Sequence, residues 1–453
     1  MFKVKDIIKI CNAKLLNGDI EKEVNSFSTD TRTINKDDTY VAIKGSNFDG
    51  NDFYFDAIKK GVSICILDKE VSDYTKYKDT TFLLVDNTIE CLQQLASYKI
   101  SKFNGRVIAV TGSVGKTSTK DMIYSVVSKK YKTLKTSGNN NNHIGLPLTI
   151  LKLTDEEVII LEMGMNNLNE ISLLSKIARP DIAVITNVGY SHIGNLGSRG
   201  NILKAKLEIL DGLKSNGKLI INNDNDMLNK YYLENINDNI ITIGIDNMSN
   251  YTAKDIKYNN DIVSYNVDNI NVIVNIPSKA FIYNSLFAYA IGNILNIDSN
   301  LIIDGIGNFS LSKNRLDIKE KDDIVIIDDT YNASYESIEN SLNILKLRNE
   351  KRKILVLGDI LELGEYSSYI HKKLAKLIMN TDIDILLLVG SDIKYTYDEL
   401  IKNNYNKKIY IFNKYDETYK VLDSILDKGD VILLKASHGI QLTKVVNYLL
   451  NGE

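Results

Sequence analysis

Residues 107–118 read VIAVTGSVGKTS, and this stretch decides the fold. Val107, Ile108, Ala109 and Val110 form a short unbroken apolar run, the mark of a strand buried on both faces. Downstream, Met122, Ile123, Val126 and Val127 recur at helical spacing. Between strand and helix lies a loop of Thr111, Gly112, Ser113, Val114, Gly115, Lys116, Thr117 and Ser118. Gly112 and Gly115 let the backbone curl so that its N–H groups converge on phosphate oxygens. Lys116 has the reach for terminal phosphates, the Thr117 hydroxyl suits Mg²⁺, and the helix N-terminus adds a favourable dipole. The general pattern G-x-x-x-x-G-K-[ST] asks for Gly at position 110, where this chain has Val110. A chance Gly-Lys-Thr is the alternative, and the correctly placed strand and helix argue against it.

Outward from this loop, strands are predicted at Val158–Leu161, Ile182–Thr186, Leu219–Ile221 and Ile240–Ile243, mostly separated by helical patterns. Such alternation means parallel pairing with both sheet faces covered. Shorter alternating segments between Tyr251 and Ile276 predict some antiparallel pairing. Beyond residue 315 the rhythm repeats, with strands at Ile324–Ile327, Ile354–Leu357, Ile385–Val389, Ile409–Phe412 and Val431–Leu434. Before residue 105, strand-like runs at Tyr40–Ile43, Ser63–Leu67 and Phe82–Val85 precede a helix over Thr88–Ser101. The fold class is α/β with three domains. They are an N-terminal mixed α/β domain (1–104), a central P-loop ATPase-like parallel sheet (105–314) and a C-terminal Rossmann-like doubly wound domain (315–453). A length of 453 residues agrees with three domains of roughly 150. No G-x-G-x-x-G follows a strand in the last domain, so dinucleotide binding is not indicated.

The net charge of −3 gives no basic excess for nucleic acid or anionic membrane. Cys11, Cys65 and Cys91 are far apart and fit no metal spacing, which suits reduced thiols of a cytosolic protein. The opening MFKVKDIIKICNAKLL reads as an amphipathic helix broken by Lys and Asp, not a signal peptide. No apolar run reaches membrane-span length. A soluble, cytoplasmic protein without membrane insertion is expected.

In a parallel sheet, ligands sit outside the carboxyl ends of the strands. Glu162 ends a strand in LEMG, and His192 follows another in TNVGYSHIG. Both should project from the edge that carries the phosphate loop, where a carboxylate and a neutral imidazole are credible direct or outer-shell Mg²⁺ ligands. In NILKAKLEILDGL (201–213), Lys206 shares a helix face with Ile202, Ile209, Leu210 and Leu213, whereas Lys204 looks solvated. Two readings of Lys206 are open. It snorkels past apolar neighbours, the commoner outcome. Alternatively it is buried with a lowered pKa, and its neutral amine takes up CO₂ to form a carbamate that could hold a second Mg²⁺.

With these residues assembled, the chain resembles the Mur ligase family over nearly its whole length. The resemblance rests on STDTR (28–32), YVAIKG (40–45), DGNDF (49–53), TGSVGKTST (111–119), GNNNNHIGLPLT (138–149), LEMG (161–164), NVGYSHIG (187–194) and AKLEI (205–209). It continues through DDTYNAS (328–334), LGDILELGEY (357–366) with His371, and LLKASHG (433–439). DDTYNAS and LGDILELGE resemble the branch that adds D-alanyl-D-alanine to UDP-N-acetylmuramoyl-tripeptide, and the DNPR motif of the diamino-acid-adding branch is absent.

The resemblance implies an ATP- and Mg²⁺-dependent ligase, with two Mg²⁺ and a monomeric chain, making a peptidoglycan precursor through an acyl phosphate. It assigns catalytic roles to Lys116, Glu162, His192 and Lys206, the last as a carbamate. It gives metal roles to Thr117, Glu162, His192 and Lys206. It places ATP against residues 111–118, Asn284, Arg315 and Asp329. The first domain becomes the uridine-nucleotide domain, with Thr31, Arg32, Gly45 and Asp49 on the UDP-sugar-peptide, joined by Asn139, Asn142 and Asn332. The chain departs from the family at SKAFIYN (278–284), where G-x-H-N-x-x-N is usual and only Asn284 remains. It also has Asn51 for a His, Asn314 for a Gly and His438 for an Arg. Other readings are a Mur-type amide ligase with a different acceptor, a P-loop switch that hydrolyses ATP, and a non-catalytic UDP-sugar-peptide-binding relative.

Overall fold

The computed structural model describes residues 2–259, 261–311 and 313–452. Its centre is a seven-stranded, wholly parallel sheet. The strand Arg106–Thr111 pairs with Val158–Glu162 on one side and Ile182–Ile185 on the other. From Arg106–Thr111 the chain first winds to one side, through Thr133–Lys135 and Val158–Glu162. It then crosses back to Ile182–Ile185, Lys218–Asn222, Ile240–Gly244 and Tyr251–Thr252. The loops leaving neighbouring strands therefore diverge at the phosphate-loop strand, which opens a crevice at its carboxyl end.

The predicted apolar strands all form; those at the centre of the sheet, Arg106–Thr111, Val158–Glu162 and Ile182–Ile185, are buried on both faces, where only apolar residues are suited. The alternating segments after Tyr251 pair antiparallel as Lys254–Tyr258, Val263–Val267 and Ile270–Val274. This small sheet shares a core with the phosphate-loop helix Lys116–Val127 and the long helix Lys279–Ile294.

The C-terminal sheet has six strands, five of them parallel, with Asp317–Lys321 added antiparallel at one edge. In the N-terminal unit a five-stranded sheet carries one antiparallel strand, Lys14–Asn17. The single opening helix expected there is cut short. The helix is only Val4–Cys11, ended by Asn12 in a left-handed conformation (φ 51°) whose N–H returns to Ile8. The helix Thr88–Ser101 forms as predicted and packs against the helices Gly145–Leu151 and Glu170–Ala178, docking the first unit on the second. Within the described residues, no helix is long and apolar enough to cross a membrane.

Candidate active site

The carboxyl edges of the central and C-terminal sheets face one another. From the central edge come residues 113–117, Glu162 and residues 190–192; from the other come residues 331–335, Ser337, 360–363 and 437–439. Between them lies a cleft of two adjoining cavities, about 380 and 330 Å³, that share Val114, Gly115, Arg315, Tyr331, Asn332 and Ser337.

The phosphate loop explains its own sequence. Val110 is still strand, paired with Glu162 and Val184, so the tight curl begins only at Gly112. A Cβ on Gly112 would lie 1.8 Å from Thr186 Oγ1, and Gly115 sits at φ +83°. Loop position is set by the next strand: Thr186 Oγ1 donates to Val114 O (2.6 Å) and Val114 N donates to Asn187 Oδ1 (2.9 Å). Thr111, expected at the nucleotide, instead turns into the sheet, its hydroxyl donating to Met163 O. Lys116 Nζ donates to Gly112 O at 2.9 Å. Burial lowers its pKa, Glu162 opposes that shift and Arg315 adds to it.

Glu162 is buried, with Thr117 Oγ1 donating to Oε2 and Asn141 Nδ2 to Oε1, both at 2.9 Å. Arg315 Nη2 donates to Thr117 Oγ1 at 3.2 Å, and its guanidinium lies 3.9 Å over the Tyr331 ring. His192 stands in the left-handed region (φ 63°). Burial, then repulsion from Lys116 and Lys206, lowers its pKa to about 4, so its ring is neutral at pH 7. Lys206 is 1% exposed, which rules out snorkelling. Desolvation and the charge of Lys116 hold its pKa well below the usual lysine value, with Glu208 opposing. Lys204 is exposed, as the pattern predicts.

Sequence reasoning missed three groups here. Lys120, one helical turn past Lys116, is fully buried; its Nζ donates to Thr136 O (2.8 Å) and lies 3.8 Å from Glu162 Oε2. The spacing of four from Lys116 was its signal. In the asparagine run, Asn141 contacts Glu162, whereas Asn142 caps the next helix by accepting from Ile144 N and Gly145 N. Lys435 makes a buried ion pair with Asp329 (2.5 Å), whose carboxylate also accepts from Ser341 and Leu316 N.

Asn284 accepts from Thr119 Oγ1 and lines the larger cavity with Ser118, Ala280 and Phe281. Asn332 lines both cavities, and Asn139 lines an adjoining opening with Thr117 and Arg315. Asn314 has φ 62°, the conformation for which Gly and Asn are suited, which accounts for Asn where the family has Gly. Asn51 exchanges hydrogen bonds with Asp68 and donates to Asp49. Thr31, Arg32, Gly45 and Asp49 belong to the N-terminal unit and do not line the cleft. Arg32 is exposed and pairs with Asp30 (2.7 Å); Lys60 Nζ binds Thr31 O (2.6 Å); Gly45 N donates to Phe48 O (2.9 Å); Asp49 caps Asn51.

Comparison with known proteins agrees with this geometry. Residues 110–292 match the Mur ligase middle domain, 314–438 the Mur ligase glutamate ligase domain and 23–100 the Mur ligase family catalytic domain. The UDP-N-acetylmuramoyl-tripeptide–D-alanyl-D-alanine ligase of Bacillus subtilis is 35% identical, over 99% of this chain and 98% of its own. The chain belongs to the Mur ligase family. The corresponding ligase of Rickettsia prowazekii is 33% identical over 94% of this chain and 95% of its own. Among solved structures, MurF from Acinetobacter baumannii superposes with a TM-score of 0.90 at 25% identity, covering 99% of this chain and 98% of that one. MurF ligase from Thermotoga maritima in complex with ADP gives 0.81 at 29% identity, covering 94% and 96%. As expected of a Mur ligase, the three-domain α/β fold is present and the enzyme is an ATP-dependent peptide-bond-forming ligase.

Whether the residues suit Mg²⁺ is decided by donor chemistry. A hydroxyl and a carboxylate 2.9 Å apart, with a neutral imidazole nearby, are hard or borderline donors of the right kind. Among the described residues, no three His, Cys, Asp or Glu side chains form a ready metal cluster. This fits a cation that takes its remaining oxygens from substrate phosphates and water.

Proposed function

We propose that the chain joins D-alanyl-D-alanine to UDP-N-acetylmuramoyl-tripeptide at the expense of ATP, in the cytoplasm and as a monomer. The observation that carries this reading is the meeting of Lys116, Thr117, Glu162 and His192 on one sheet rim, opposite the DDTYNAS and LGDILELGE loops. The full-length likeness to ligases of that name supports it. Residues 1–104 hold the uridine nucleotide through Thr31, Arg32, Gly45 and Asp49. Residues 105–314 hold ATP, and residues 315–453 receive the dipeptide.

A carboxylate is a poor acyl donor because oxide would have to leave. Here a carboxylate oxygen attacks the γ-phosphorus of ATP, the bond to the bridging oxygen breaks, and ADP departs. The acyl phosphate then takes the neutral amine at its carbonyl carbon. The tetrahedral adduct loses a proton and expels inorganic phosphate, leaving the amide. Lys116 and Arg315 neutralise charge on the transferring phosphoryl group. Thr117, Glu162 and His192 would hold Mg²⁺, which would supply further neutralisation when bound. Lys206, were its neutral amine to take up CO₂ with release of a proton, would offer a carbamate to a second ion. Acyl phosphates hydrolyse, so the cleft must exclude water. Contacts across the two sheets hold its walls together: Gly194 N donates to Glu362 O, and Tyr366 Oη to Gly197 O (2.5 Å). Burial raises the pKa of Glu336, which accepts from Tyr190 N (2.9 Å) at the same junction.

Phosphate release with ATP, UDP-N-acetylmuramoyl-tripeptide and D-alanyl-D-alanine, omitting each in turn, tests the reading. Release should require all three and vanish in folded Lys116→Ala. Release without the dipeptide at the full rate would indicate a hydrolase instead.

A further inference from the structure

Glu362 stands out among the groups facing the cleft. It sits at φ +63°, a region that disfavours a side chain longer than Asn or Asp, yet it is glutamate and not glycine. Its loop is fastened at successive residues. Asp359 accepts from Ser391 N and Ile393 N, Ile360 N donates to His371 Nε2, and Leu361 N donates to Ser437 Oγ. Its own carbonyl accepts from Gly194 N of the central unit. A backbone held this firmly in an unfavoured conformation fixes where one side chain points.

That side chain is 60% exposed and places Oε2 2.9 Å from His192 Nδ1, outside hydrogen-bond geometry. Two carboxylates line this half of the cleft, Glu162 and Glu362. Glu162 is buried and committed to Thr117, Asn141 and Lys120. Among the described residues Glu362, unlike Glu162, has no lysine or arginine within salt-bridge range. Beside it, Ile360, Leu361 and Leu363 present an apolar wall to the same cavity. An exposed carboxylate without a lysine or arginine partner, next to apolar contacts and across from the phosphate loop, is the complement of an ammonium group carried on a short apolar peptide.

We propose that Glu362 binds the protonated α-amine of the incoming dipeptide and thereby selects it over other nucleophiles. This rests on the ligase reading above. Charge attraction holds the acceptor at the rim where the acyl phosphate forms, and the neighbouring leucines receive its methyl groups.

The test compares Glu362→Gln and Glu362→Asp with the unmodified chain. Each is assayed with ATP and UDP-N-acetylmuramoyl-tripeptide, and either D-alanyl-D-alanine or hydroxylamine as acceptor. Hydroxylamine is largely uncharged near neutral pH and traps acyl phosphates as hydroxamates. In Glu362→Gln the KM for the dipeptide should rise about ten- to a hundredfold, the range set by one charged hydrogen bond. The ratio of dipeptide to hydroxylamine turnover should fall by the same factor, and Glu362→Asp should recover part of it. An unchanged dipeptide KM would overturn the proposal. So would an equal loss with both acceptors, which would place Glu362 behind His192 as a positioning group. Absence of hydroxamate from the unmodified chain would sink the acyl-phosphate reading itself, and this inference with it.

Discussion

Replacing Lys206 by methionine should make the protein more stable and inactive. The Lys206 side chain is 1% exposed, on a helix whose buried neighbours are Ile202 and Ala205, with Ile209 following. Its amine has no hydrogen-bond or ion-pair partner among the described residues, and Lys116 repels its charged form. A buried polar group without a partner costs about 1–3 kcal/mol by mutational measures. Methionine has similar length and no such group, so stability should rise by about that amount. At about 2–4 °C per kcal/mol for a domain of this size, Tm should rise by about 2–12 °C. The pH dependence has a definite sign. Lys206 has a lower pKa folded than unfolded, so the unfolded chain binds the extra proton and stability declines as pH falls from the ordinary lysine value. The gain from methionine should therefore be larger at pH 6.5 than at pH 9. Thermal melts in Mg²⁺-free, bicarbonate-free buffer measure it, with phosphate release on the same samples. A lowered Tm, or near-normal turnover, would refute the reasoning.

His192, whose pKa falls from 6.5 to about 4, takes up a proton on unfolding between those values. Stability should decline by about 3 kcal/mol as pH drops through that window, and His192→Asn should flatten the slope in urea titrations at pH 7 and 4.5. Gly112→Ala would drive its methyl onto Thr186 Oγ1, so ADP binding by calorimetry should weaken at least about tenfold in a folded variant; unaltered affinity would contradict the loop geometry. Lys120→Met leaves Thr136 O without its donor and Glu162 without its nearby cation; a loss of about 1–3 kcal/mol in chemical denaturation is expected. No loss would mean those contacts are dispensable.

Long strands buried on both faces were legible because only apolar residues survive there. The edge strands Thr133–Lys135 and Tyr251–Thr252 were not: two or three half-buried residues carry no period to read. The phosphate loop, Glu162 and His192 were legible because one rule ties strand ends to a common edge. Periodicity placed Lys206 on the apolar face but was silent on whether its amine escapes to solvent, which depends on what packs above it. The asparagine run offered four chemically identical candidates, and only the fold separates Asn141, on Glu162, from Asn142, a helix cap. Thr111 lay in the motif, yet strand alternation turned it away from the loop.

The central claim is that a substrate carboxylate takes the γ-phosphoryl group of ATP within the cleft. UDP-N-acetylmuramoyl-tripeptide labelled with ¹⁸O in its terminal carboxylate tests it, with mass analysis of the inorganic phosphate released during ligation. One ¹⁸O atom should appear in each phosphate formed; phosphate free of label would contradict the account.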